Sequence, residues 1–289
     1  MQFLIFAISY PIIWILSLLP MRVLYILSDF LYILFFYLIG YRKKVVLENL
    51  KLAFPTKDLS ELKTIQKDFF KHFTDIFVES IKAFSITKKT LLKRYKFTNP
   101  ELINELYDKG RSIAFMGAHQ ANWEWSISIP LYVKIRCFGA YTRIGNTYFD
   151  KTVKKSRTKF GFIGYKTSET IKSITRNFDE GIQGLYLLLS DQSPQIHKTH
   201  YWREFMGIKV PIHTGAEMIA KKFDMAVVNY SVKKLKRGYF EVTFETITEH
   251  PNDFKDYEIT DKYLAITERN INSQPAYYLW SHKRFKHRN

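Results

Sequence analysis

Residues 113–125, Ile-Ala-Phe-Met-Gly-Ala-His-Gln-Ala-Asn-Trp-Glu-Trp, constrain this chain more than any other stretch. They open as a short apolar run of the kind that forms a buried strand. The run breaks at Gly117, exposes His119, and restarts as a helix behind a cap at Asn122, with Glu124 in its first turn. A strand that ends in a Gly-Ala-His turn and continues as a helix presents reactive side chains at the rim of a sheet.

The surrounding texture agrees. Strand patterns fall at 112–116, 135–141, 184–189, 225–232 and 239–246, and helical patterns at 123–133, 147–160, 168–179 and 213–223. Strands alternating with helices predict an α/β fold with a mixed central sheet flanked by helices. Upstream, residues 42–54 have helical spacing and stop at Pro55. Residues 58–84 continue as an amphipathic helix whose face includes Phe69, Phe70, Phe73, Ile76, Phe77, Ile81 and Phe84. That face serves the core, or in part a membrane surface. The Lys/Arg-rich residues 88–96 read as a solvated face.

The first 41 residues have a different character. Residues 3–19 carry no charge, and residues 23–41 hold only Asp29. At about 1.5 Å per residue, the first run is barely long enough for a hydrocarbon core of about 30 Å. No basic residue precedes it and no small-residue cleavage site follows, which disfavours a signal peptide. We expect a transmembrane or membrane-embedded helical anchor over 1–41, followed by one catalytic domain over 42–289. Pro11, Pro20 and Asp29 argue against an unbroken helix, and one span and a re-entrant hairpin both remain open. Arg42, Lys43 and Lys44 follow the apolar region directly, so the rest of the chain is expected on the cytoplasmic side of the inner membrane.

The net charge of +17 suits anionic partners. Nucleic acid is one such class, but the anchor and the lack of a binding motif weigh against it. The single cysteine, Cys137, excludes an intrachain disulfide and lies in an apolar strand pattern, where an inert thiol is expected. There is no Gly-x-Ser-x-Gly elbow, P-loop or dinucleotide fingerprint. His197 and His200 have a spacing compatible with metal ligation, yet no cysteine or carboxylate cluster accompanies them, and a polar loop is expected.

His119 and Glu124 therefore come first as chemistry. On one straight helix their spacing of five would put them roughly 140° apart. They meet only if His119 lies in the turn and Glu124 in the first helical turn. A histidine whose second nitrogen bonds a carboxylate is held in one tautomer and acts as a general base toward a hydroxyl or amine. The alternative is a loop histidine beside a glutamate that favours the helix dipole. A metal-dependent hydrolase using His119, Glu124 and Asp191 is a further alternative. Arg143 and Arg157 are candidates for phosphate, which a guanidinium grips with paired hydrogen bonds, or else for surface ion pairs. Asp191, after an apolar strand pattern, either orients the site or caps the next element.

Gly-Ala-His-Gln-Ala-Asn-Trp-Glu resembles the HxxxxE signature of the bacterial lipid A biosynthesis (late) acyltransferases, within the wider HxxxxD/E glycerolipid acyltransferase superfamily. Further blocks resemble that family in order: Tyr41-Arg42-Lys43-Lys44-Val45-Val46 with Asn49-Leu50 and Ala53-Phe54-Pro55, then Tyr141-Thr142-Arg143 with Asn146, and Arg157 in the basic helix that follows. Leu189-Ser190-Asp191-Gln192, Phe205-Met206-Gly207, Pro211 and Thr214-Gly215-Ala216 continue the series. The resemblance implies direct acyl transfer from a thioester on acyl carrier protein or coenzyme A to a hydroxyl of a phosphorylated glycolipid, a lipid A precursor. It needs no bound cofactor or metal. His119 would be the base, oriented and charged by Glu124. Backbone N–H groups or Arg143 would meet the oxyanion. Arg143, Asn146, Arg157, Asp191 and Gln192 would bind substrate. A lysophospholipid or amino-acid lipid is the alternative acceptor.

Overall fold

The computed structural model describes residues 1–288. The N-terminal apolar region forms two helices, α1 (Gln2–Leu18) and α2 (Met21–Ile33), broken at Leu19-Pro20. The second runs on through a π-helical turn, Leu34–Leu38, making Met21–Leu38 one helical stretch long and apolar enough to cross a membrane. Neither helix hangs free. Met21, Leu24 and Ser28 are buried, while Val23, Ile26, Phe30 and Ile33 point outward. The buried face of α2 packs on α4 (Leu59–Lys82), which follows α3 (Lys43–Ala53). A capping box starts α4: the Asp58 carboxylate accepts from the Ser60 and Glu61 N–H groups, and the Glu61 carboxylate accepts from Asp58 N–H. Lys82 donates to the carbonyls of Ser17 and Leu19, tying the α1–α2 junction to the end of α4.

Beyond α5 (Lys88–Arg94) come β1 (Tyr95–Phe97), α6 (Glu101–Asp108), β2 (Ile113–Gly117), a 3-10 helix (Trp123–Leu131) and β3 (Arg136–Tyr141). The chain continues through α7 (Thr147–Arg157), β4 (Ile163–Lys166), α8 (Thr170–Asp179) and β5 (Gly184–Leu189). A small hairpin of β6 (Trp202–Phe205) and β7 (Ile208–Pro211) precedes α9 (Gly215–Lys222). The long pair β8 (Ala226–Lys236) and β9 (Tyr239–Thr248) and the helix α10 (Glu258–Ser273) complete the elements.

The seven-stranded sheet has the order β1-β9-β8-β2-β5-β3-β4 and is parallel except where β8 meets β9. The mixed α/β sheet expected from the sequence is thus the fold. β2 lies at its centre, and all five of its residues are buried. Ala114 and Met116 enter the core on one face; Ile113 and Phe115 enter the core on the other. That two-sided burial is why β2 reads as a continuous apolar run.

The expected helix at 123–133 is instead a 3-10 helix, and the short strands β1, β4, β6 and β7 were not legible as strands. Three or four residues carry too little period to read. The sequence boundary at 41/42 does not mark a gap between packed bodies. Gln2 accepts a hydrogen bond at its carbonyl from Asn146, and Phe6 packs edge-on against Phe149 at the start of α7.

Candidate active site

β2 and β5 are neighbours, and Gly117 is opposite Leu189 in their parallel register. Two residues beyond each strand end, the chain places His119 beside Asp191. This is the crevice outside the carboxyl ends of parallel strands, where α/β folds place ligands. Gly117 is required for a close approach: a Cβ there would lie 2.1 Å from the Tyr230 ring. Ala121, in the turn itself, has φ of 49°, a left-handed conformation that costs a non-glycine residue energy and persists only when its surroundings enforce it.

Those surroundings are supplied by the C-terminal segment. Leu279 N–H donates to the His119 carbonyl at 3.0 Å, and Ala121 N–H donates to the Tyr277 carbonyl at 2.8 Å. Tyr263 on α10 donates its hydroxyl to the Gly117 carbonyl at 2.7 Å. Residues 277–279, close to the C-terminus, thus clamp the turn.

The Asp191 carboxylate takes two bonds from one residue. Its Oδ1 lies 2.7 Å from His119 Nδ1, and its Oδ2 accepts from His119 N–H at 3.1 Å. Asp191 is 1% exposed. Burial alone would raise its pKa, but the His119 charge and hydrogen bonds hold it below its ordinary value. At His119 burial disfavours the imidazolium, yet Asp191, with a smaller contribution from Glu124, raises the pKa above its ordinary value. Nδ1 is therefore the protonated nitrogen facing Asp191, and Nε2 keeps a lone pair. Gln192 Nε2 lies 3.4 Å from that Nε2. The Trp123 ring meets the imidazole edge-on at 5.2 Å.

The hydrogen bond expected between His119 and Glu124 is corrected by this geometry. Glu124 instead takes Arg157 Nη2 between its two carboxylate oxygens, each at 3.1 Å. The sequence places Glu124 after the cap, in the first turn of the 3-10 helix, while the sheet register brings Asp191 directly alongside Nδ1. Glu124 acts on His119 through its charge rather than by contact.

His119, Glu124 and Arg157 share one cavity of about 220 Å³. Its remaining wall is largely apolar, with Ile127, Phe162, Leu187 and Leu189 among its members. Arg143 does not line it; it is exposed in the loop that follows β3. Asn146 is engaged as the N-cap of α7, accepting from Tyr148 and Phe149 N–H groups at 3.0 and 3.3 Å. Its side chain is thus engaged by the cap and by the Gln2 carbonyl and does not line the cavity. Cys137 is buried, and burial pushes its thiol pKa well up. His197 sits exposed in a one-turn 3-10 helix and His200 exposed just after it, and no group of three or more His, Cys, Asp or Glu side chains is placed to hold a metal among the described residues.

The arrangement can take a proton from a hydroxyl beside an apolar cavity. Residues 2–287 match the family model described as bacterial lipid A biosynthesis acyltransferase. No curated protein matches the chain.

Proposed function

The chain belongs to the bacterial lipid A biosynthesis acyltransferase family, and we propose that it moves a fatty acyl chain from a thioester on acyl carrier protein or coenzyme A to a hydroxyl of a lipid A precursor. His119 is the general base. Its Nε2 takes the hydroxyl proton as the oxygen attacks the thioester carbon. Asp191 fixes the tautomer and balances the imidazolium that forms. The Gln192 amide, beside Nε2, is the donor we assign to the tetrahedral oxyanion. As the intermediate collapses, the carbon–sulfur bond breaks and the proton on Nε2 passes to the departing thiolate. No acyl-enzyme is required.

The observation that carries this reading is the His119–Asp191 pair, its aspartate buried and its histidine opening on an apolar cavity. A hydrocarbon chain lies along Ile127, Phe162, Leu187 and Leu189, where it is removed from water. Arg157, half-exposed at the same cavity, offers its guanidinium to a phosphate of the acceptor, and Glu124 holds it in place. The family suggests a membrane-associated enzyme. We place α1 and α2 in the cytoplasmic leaflet of the inner membrane as an embedded hairpin. One face of α2 is already committed to α4, and its other face is apolar and exposed. The basic surface then meets anionic lipid and the acidic carrier protein.

Mass spectrometry of lipids from a deletion strain, complemented with wild type or His119→Ala, tests the reading. One acyl chain should be missing from lipid A in the deletion strain, restored by wild type and not by the variant. An unchanged lipid A acyl count, with a lysophospholipid or an amino-acid lipid left unacylated, would assign the alternative acceptor.

A further inference from the structure

Outside the cavity lining, α4 carries a fully buried carboxylate that the proposed chemistry does not use. Glu79 is 0% exposed. Its two oxygens serve different elements. Oε1 accepts from the Tyr25 hydroxyl on α2 at 2.8 Å, and Oε2 accepts from Asn122 Nδ2 at 2.6 Å. Asn122 is the residue whose Oδ1 caps the 3-10 helix by accepting from Trp125 N–H at 3.0 Å. The Trp125 indole N–H in turn donates to the Glu79 carbonyl at 3.2 Å. Asn122 and Trp125 are themselves 0% exposed, so none of these bonds can be replaced by bulk water.

The sequence around Asn122 explains what the bonds hold. His119 lies three residues before it and Glu124 two residues after it, and between them Ala121 sits in its left-handed conformation. A strained turn keeps its shape only when both sides are fixed. The C-terminal segment fixes the side toward His119. Glu79 and the cap help to fix the other, where His72 of α4 also meets the Ala121 backbone.

We propose that Glu79 is a positioning residue that ties the membrane-facing helix α2 to the catalytic turn. Through Asn122 it sets the register between His119 and the 3-10 helix that carries Glu124; through Tyr25 it receives the seating of α2. The same helices are joined a turn away by Ser28, which donates to Asp75 at 2.8 Å, so α2 and α4 move as a unit. The catalytic half of the claim rests on the acyl-transfer reading; the structural half does not. Burial, and the nearby charge of Asp75, push the Glu79 carboxyl up to about 7. A neutral isostere is therefore a close substitute. Glutamine can accept from Asn122 with its oxygen and donate to Tyr25 Oη with its amide.

The test uses the full chain in liposomes, with Glu79→Ala, Glu79→Gln, Tyr25→Phe, Asn122→Ala and the Glu79→Ala/Asn122→Ala double variant. Hydrogen exchange is read by mass spectrometry on peptides spanning 118–126 and on the β2, β5 and β8 strands. In Glu79→Ala, exchange at 118–126 should rise about tenfold while the strands keep wild-type rates. Glu79→Gln should restore it. In acyl transfer, Glu79→Ala should lower kcat by about 10²-fold with the donor KM unchanged. The double variant should be no worse than either single one. Tyr25→Phe should lower kcat by less than Glu79→Ala. Unchanged exchange at 118–126, equal increases across the chain, additive losses in the double variant, or failure of Glu79→Gln to rescue would each overturn the proposal. If the wild type transfers no acyl chain, the functional reading fails and the exchange data still decide this one.

Discussion

At the scale of single residues, the site turns on which carboxylate holds His119. Asp191 contacts Nδ1 directly and Glu124 does not. Asp191 raises the His119 pKa, so with His119 as the proposed base the wild-type rate should fall as pH drops through a value above the ordinary 6.5. Asp191→Asn should move that acidic limb to lower pH and reduce kcat by roughly 10²–10⁴-fold, read from the pH–rate profile. Glu124→Gln should move the limb in the same direction but less far, because only a distant charge is removed. A larger shift for Glu124→Gln than for Asp191→Asn would restore Glu124 as the partner. His119 was legible in the sequence because a glycine break after an apolar run is a local signal. Its partner was not, because 72 positions separate Asp191 from His119 and only the pairing of β2 with β5 brings them together. A small residue followed by a titratable one just past two apolar strand patterns, Ala-His after Gly117 and Ser-Asp after Leu189, was the available hint.

At the scale of elements, five strands and the helices α3, α4, α7, α8 and α9 could be read from period and composition, whereas α6 and α10 were not. The missed strands share a cause. β1, β4 and the β6–β7 hairpin are three or four residues long, shorter than any pattern can establish. The cavity floor was equally hidden, since it is assembled from β3, β4, β5 and the 3-10 helix rather than from one stretch. It contains a testable constriction. A Cβ on Gly139 would lie 2.6 Å from Phe162 Cε1, so Gly139→Ala must displace that ring, which lines the cavity. Assayed with acyl donors of graded length, the variant should favour shorter chains over longer ones by about tenfold in relative kcat/KM. Unaltered chain preference would remove Phe162 from the floor.

At the scale of the whole molecule, an apolar face on α1 and α2 adjoins a strongly basic body. Co-sedimentation with vesicles containing anionic lipid should be strong and should weaken with salt, since the screening length is about 10 Å at 0.1 M ionic strength. Ile26→Asp with Phe30→Asp, both on the exposed face, should release the protein from neutral and anionic vesicles alike. Binding that survives both changes would locate the membrane contact elsewhere. The clamp on the catalytic turn also orders events in time. Residues 277–279 hold the turn, whereas the apolar helices end before residue 41. At about 5–20 residues per second, the ribosome makes that clamp roughly ten to fifty seconds after the hydrophobic hairpin has emerged. If α1 and α2 embed as proposed, a nascent chain can therefore reach the bilayer well before the turn that carries His119 is clamped.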